Sequence, residues 1–174
     1  MNKKIYVGID IGKSGAIAVM HDDKIVTYSM PKIANELDYH QLNILIRDFK
    51  NDAYSIQGKD LYIVFEKLGV IFGSGKSTAF SMGHQSGAVE MACVANDIPY
   101  TKVRAVDWQK QMFQGVETIN KTGKSSKDTK AMALVAIKRI FPDLKLTFGD
   151  RASKPHDGLI DAVLMAEYAR RNNL

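Results

Sequence analysis

"LYIVFE" (residues 61–66), followed by "VIFGSGKSTAF" (residues 70–80), is the stretch on which the fold turns. An apolar run that leads into Gly75-Lys76-Ser77 comes close to a phosphate loop, Gly-x4-Gly-Lys-[Ser/Thr]. The spacing fails by one, because the first glycine would fall on Val70, and the nearest glycines are Gly69 and Gly73. A phosphate nest is made of successive backbone N–H groups, so a shifted glycine dismantles it. The apolar run also ends on Glu66, a negative charge where phosphates would have to sit. The stretch reads instead as a buried strand that delivers a carboxylate, and no nucleotide cofactor is implied.

Working outward, "KKIYVGID" (residues 3–10) is a second apolar run that ends on an acid, Asp10. "SGAIAVM" and "KIVTYSM" follow it, with "HDD" (residues 21–23) as the turn between them, which predicts an antiparallel meander. Leu42, Leu45, Ile46 and Phe49 recur at helical spacing in residues 37–50. Residues 77–96 are helical again, with Met82, Val89, Met91 and Val94 among the small residues Gly83, Gly87, Ala88 and Ala92. Small residues on a helix let another backbone approach, here that of a second subunit. A short strand, "YTKVRA", follows Pro99, and a mobile glycine- and lysine-rich segment is expected after it. A helix from about Ser126 to Ile140 stops at Phe141-Pro142, and Ser153 and Pro155 are placed to cap and open the last helix. The whole of 1–174 is expected to be one domain.

The composition excludes several classes. The chain is 45% hydrophobic and 25% charged, ordinary for a soluble globular protein, and its apolar runs are too short for a membrane span. Its one cysteine, Cys93, excludes an internal disulfide framework and suits a reducing cytoplasm. Residues 101–154 hold 12 Lys/Arg against 5 Asp/Glu, while the rest of the chain holds 12 against 14. The positive charge therefore gathers in the last third, around "KTGKSSKDTK" (residues 121–130). A clustered basic face is the footprint of a polyanion partner, although a solvated lysine-rich loop has the same composition.

Four acids stand where burial calls for apolar residues. Asp10 and Glu66 end apolar strands, while Asp157 and Asp161 lie one helical turn apart, the latter enclosed by Ile160, Ala162, Val163 and Leu164. Charged side chains are rarely buried without a partner. If the two acid-ending strands are neighbours, the last helix can bring all four carboxylates together. Such a group repels itself unless divalent cations neutralise it, and oxygen donors suit magnesium or manganese. Two such ions about 4 Å apart are a known means of phosphodiester hydrolysis.

"IYVGIDIGKSGAIAV", "IVFEK", "GHQSGAVEMACVANDIPYTKV" and "HDGLIDAVLMAEYARR", in that order along nearly the whole chain, resemble the landmarks of RuvC-like Holliday junction resolvases, particularly phage-type members. The resemblance implies an α/β, ribonuclease H-like fold with a five-stranded mixed sheet flanked by helices. It further implies a homodimer that makes paired nicks in branched DNA, the four-way junction above all, with Mg2+ as cofactor and Mn2+ able to substitute. It places the protein in the cytoplasm of a bacterium or a phage-infected host. By this match Asp10, Glu66, Asp157 and Asp161 are the metal ligands and catalytic acids. Bacterial members space the final pair three apart, whereas here it is four, which leaves the third ligand open between His156 and Asp157; one helical turn favours Asp157. Lys127, by its pattern "KSSKDTKAM", and Lys110, by "KQMFQG", resemble the basic residues that the family carries near the scissile phosphate; Lys127 is the better match and is expected to be catalytic. Lys76, Lys110, Lys121, Lys124 and Lys130 are expected on the DNA backbone, and Phe72 as an apolar wedge near the junction centre. Trp108 reads as a packing residue whose N–H needs a partner, and His21, His40 and His84 as structural.

Two other classes compete. "GIDIGKSG" also resembles the first phosphate loop of actin-like ATPases and sugar kinases, which need two such domains around a cleft. A non-catalytic junction-binding protein of the same fold is the other. It gives no reason to keep unneutralised acids beside phosphates.

Overall fold

The computed structural model of the protein describes residues 4–57, 59–69 and 75–174. Phe72, the expected wedge, and most of the glycine-rich stretch that follows Glu66 lie outside the described residues.

The meander is present. Strands β1 (Lys4–Asp10), β2 (Ala16–His21) and β3 (Lys24–Ser29) pair antiparallel in sequence order. His21 pairs with Lys24, so the turn is Asp22-Asp23, and Asp22 takes the left-handed conformation that aspartate tolerates (φ 51°). A small hairpin not anticipated from the sequence follows, β4 (Lys32–Ile33) with β5 (Glu36–Leu37), turned through Ala34 and Asn35 at positive φ. Helix α1 (Tyr39–Gln57) begins after Asp38, whose Oδ1 accepts from Gln41 N at 2.9 Å, and it runs beyond the expected 37–50.

Strand β6 (Asp60–Glu66) lies parallel to β1, and β7 (Tyr100–Val103) lies parallel to β6, with α2 (Lys76–Ala95) between them in the chain. The sheet order β3-β2-β1-β6-β7 is the mixed five-stranded sheet of a ribonuclease H-like α/β fold. Three more helices complete the chain: α3 (Ala105–Met112), α4 (Thr129–Ile140) and α5 (Asp157–Arg171).

Strand alternation sends successive side chains to opposite faces. Ile5, Val7, Ile9, Ile63 and Phe65 pack beneath α1 and α2, together with buried Val89 and Cys93; burial pushes the Cys93 thiol up to about 12. Tyr6, Val64, Trp108, Met112, Ala136 and Val163 form the core on the other face, under α3, α4 and α5. Asp10 and Glu66 share that second face, because Gly8 and Val64 precede them by two. Gly8 sets how near α5 comes: a Cβ there would lie 1.9 Å from Ala162 O. Only glycine lets the helix lie so close on β1.

Three expectations from the sequence change. Helix α4 starts at Thr129 rather than at about Ser126, with Asp128 as its cap, Oδ1 accepting from Ala131 N at 3.1 Å, since Lys127 is still held in a bridge to Asn120. His156 caps α5 in place of Ser153, and Pro155 precedes the helix. The chain is fixed there because His156 N donates to Leu146 O (2.8 Å) while its Nδ1 accepts from Leu159 N (3.1 Å). The segment expected to be mobile holds α3 and then a closed loop, tied by Lys121 N to Ser126 O (2.9 Å) and Asp128 N to Ile119 O (2.7 Å). Among the described residues no helix is long and apolar enough to cross a membrane.

Candidate metal centre

Ile9 pairs with Phe65 in the parallel register, so Asp10 and Glu66 leave adjacent strands side by side at one sheet edge. Helix α5 supplies Asp157 in its first turn and Asp161 one turn on. Gly158 lets this helix meet the strand: a Cβ there would sit 2.6 Å from Asp10 Oδ2 and 2.7 Å from Ser14 O. The two glycines, Gly8 and Gly158, thus seat α5 so that its acids reach those of the sheet.

The electrostatics report the crowding. Burial, then the charges of Asp161 and Glu66, push the Asp10 carboxyl up to about 7. Burial, followed by Glu66 and Asp157, raises Asp161 to about 7 as well. Glu66 is raised by burial and eased down by the indole N–H of Trp108. That N–H is buried and lies near enough to act on Glu66 without making a full hydrogen bond.

One lysine enters the cluster. Lys130 Nζ lies 2.6 Å from Asp157 Oδ2, and its charge also acts on Asp10 and Asp161. Lys130 was expected on the DNA backbone, and nothing local in the sequence couples it to Asp157, 27 residues away. Lys127, expected near the scissile phosphate, lines a cavity of about 640 Å3 with Lys110, Val106, Phe113 and Met132. Lys121 and Lys124 are exposed on the closed loop, and Lys76 is exposed at the start of α2. His156 spends Nδ1 on its cap and sets its ring edge against Phe148 at 5.0 Å. His21 bonds Lys59 and Asp22, and His84 bonds Tyr39, both structural as expected. Glu167, inside the "AEY" ending, is buried but bonded by Arg170 Nε (2.6 Å) and Arg171 Nε (2.7 Å), which keeps it apart from the acid cluster.

The donor chemistry fits a hard divalent cation: oxygen ligands only, two of them carboxyls that resist ionising beside one another. The side chains are not closed into a cage, and among the described residues no group of three His, Cys, Asp or Glu is gathered tightly enough to hold an ion. The Lys130 ammonium is paired with one of them, Asp157.

No protein-family model and no curated protein matches the sequence. Solved structures do. The chain is similar to T. thermophilus RuvC in complex with a Holliday junction substrate, at 16% identity and a TM-score of 0.53, over 97% of this chain and 96% of that one. Similarity to the Thermus thermophilus RuvC structure is of the same order, at 16% identity and a TM-score of 0.52 over 97% and 96%. The yeast mitochondrial Holliday junction resolvase matches at 12% identity and a TM-score of 0.55, over 97% of this chain and 78% of that chain. The likeness is one of fold.

Proposed function

We propose that the protein is a metal-dependent, structure-selective DNA endonuclease that resolves four-way junctions by paired nicking as a homodimer. The observation that carries this reading is the set of four acids at one edge of a ribonuclease H-like sheet, with Asp10 and Asp161 pushed up to about 7. The fold is shared with junction resolvases, which supports the choice of substrate.

Asp10, Glu66, Asp157 and Asp161 would hold magnesium, or manganese in its place. The bound ions would activate water and neutralise charge on the attacked phosphate. The chain's own residues do the rest. Trp108 steadies Glu66 from the buried side. Gly8 and Gly158 fix the spacing between sheet and helix. Lys127 stabilises the phosphate under attack, and Lys76, Lys110, Lys121 and Lys124 grip the backbone on the exposed side. Asp157 is the third ligand in this reading, because His156 is engaged as the helix cap.

The dimer is assigned to α2. Gly83 and Gly87 have open space before them, and Phe80, Met91 and Val94 are exposed on the same helix. Paired nicks on a twofold junction call for a twofold enzyme.

The test is cleavage of a synthetic four-way junction beside a matched linear duplex and an RNA–DNA hybrid, each with magnesium and with chelator. Symmetric nicks in the junction alone, abolished by chelator, are expected. Junction binding with no cleavage in magnesium would mean a non-catalytic binding protein, and preference for the hybrid would mean a ribonuclease.

A further inference from the structure

Lys130 is the second residue of α4 and Asp157 the first of α5, and the two helices pack together. Their side chains meet at 2.6 Å, at the mouth of the acid cluster, while both remain largely in solvent, at 73% and 52% side-chain exposure. An exposed pair of this kind contributes little to holding the fold together. Its position matters more than its strength. The ammonium is the one lysine charge felt by Asp10 and Asp161 as well as Asp157 among the described residues. The same oxygens that a cation would need are therefore partly neutralised already, and Asp157 Oδ2 is taken.

We infer that Lys130 is the chain's own counter-ion for the acid cluster, which a divalent cation must displace from Asp157 in order to bind. The inference rests on the metal-centre reading above. A dication outcompetes the ammonium because it carries twice the charge and accepts oxygens from several carboxylates at once. The displaced Lys130 then stands at the end of the basic loop 121–130, free to contact a phosphate, so the acids are exposed to metal and the lysine to DNA in one exchange. Without metal, the pair keeps four repelling carboxylates tolerable.

The experiment is Mn2+ binding to the full-length, DNA-free protein, read from the loss of the free-ion electron paramagnetic resonance signal. Lys130→Met is compared with wild type and with Lys138→Met, which removes an equal charge from the exposed far end of the same helix. The Lys130→Met protein is expected to bind Mn2+ about three- to fivefold more tightly than either, the release of one exposed ion pair. It should also melt lower than wild type in chelator, with the difference closed by Mn2+. Affinity equal to that of Lys138→Met overturns the proposal and leaves the pair incidental. Weaker binding also overturns it, making Lys130 a residue that orients Asp157 as a ligand. If wild type binds Mn2+ no better than Asp161→Asn, the metal centre itself falls, and this proposal with it.

Discussion

Helices α2 and α5 have similar raw material and opposite fates. Both are rich in Ala with scattered Met and Val. In α5, ten of the fifteen residues are buried, between Gly158 and Ala169, and burial beside them raises the carboxyl of Asp161. In α2, only Gln85, Val89, Ala92 and Cys93 are buried, and Phe80 keeps 76% of its surface exposed. Apolar side chains in water and charged ones in the core are both costly, and each is left by folding of one chain alone. The difference teaches where to look for what is missing. At α5 it is positive charge; at α2 it is apolar surface, beside a groove of about 680 Å3 that Tyr39 and Asn43 also line.

The sharpest way to break this contrast is to neutralise the acids. Asp10→Asn and Asp161→Asn should each reduce junction cleavage by about a thousandfold or more, the scale for losing a preorganised charge contact. Junction binding should be unchanged or slightly stronger, because a charge that repels phosphate has gone. Both variants should remain dimeric. Parallel loss of binding and cleavage would make the acids structural and remove the contrast with α2.

Next comes the α2 face. Gly87→Leu should yield monomers at micromolar concentration that nick junctions slowly or not at all, as measured by sedimentation and single-turnover cleavage. The open space at Gly87 means that the monomer itself should fold normally. The opposite holds on the α5 side, where Gly8→Ala puts a methyl group 1.9 Å from Ala162 O and should unfold the protein or lower its stability by about 3 kcal/mol or more. A wild-type monomer, or a Gly87→Leu dimer, would show that α2's apolar face is merely tolerated in solvent.

Much of this arrangement was legible in the chain. The two strand-end acids and the i, i+4 pair in α5 marked the cluster, because burial makes a charge conspicuous among apolar neighbours. That β1 and β6 are neighbours was the condition for bringing those acids together, and the structure meets it with a parallel pair. What was not legible had no local signal. The hairpin β4–β5 is two residues a strand and mostly exposed, below what alternation can register. Helix α3, "AVDWQKQM", has room for barely two turns, and its apolar stripe is little more than Trp108 and Met112. The caps of α4 and α5 were decided by tertiary hydrogen bonds, His156 N to Leu146 O among them. The contact between Lys130 and Asp157 joins two helices across 27 positions. Gly8 did carry a usable signal, since a glycine inside an apolar strand marks a close backbone approach.

The basic loop sharpens the account of what α5 needs. If Lys127 acts on the attacked phosphate, Lys127→Ala should bind junctions nearly normally and cut them at least about tenfold more slowly under single-turnover conditions. Lys121→Ala should instead weaken binding with little change in the cleavage step, and should lower the salt slope by about one unit. Four lysine variants that all act on binding alone would reduce the loop to a grip on the backbone.

The smallest effect tests the buried charge directly, without DNA. Asp10 and Asp161 titrate near 4 in an unfolded chain but are held at about 7 in the fold, by burial first and by their acidic neighbours second. Between those limits the folded state binds more protons than the unfolded one, so stability falls as pH rises from about 4 to 7 and stays low above it. Surface acids whose carboxyls are held low by lysine or arginine, such as Asp22, Glu90 and Asp107, pull the other way. Comparison with Asp10→Asn cancels them. In chelator, the variant should melt about 3–6 °C above wild type at pH 8, and the gap should close towards pH 5, at the usual rate for a domain of this size. Mn2+ should raise the wild-type melting temperature at pH 8 and do little at pH 5, where protons already occupy the carboxylates. Gly87→Leu should follow the wild-type pH dependence, since neither Asp10 nor Asp161 lies in α2. A gap between wild type and Asp10→Asn that does not change with pH would mean that the carboxylates ionise freely, and α5 would then lack nothing.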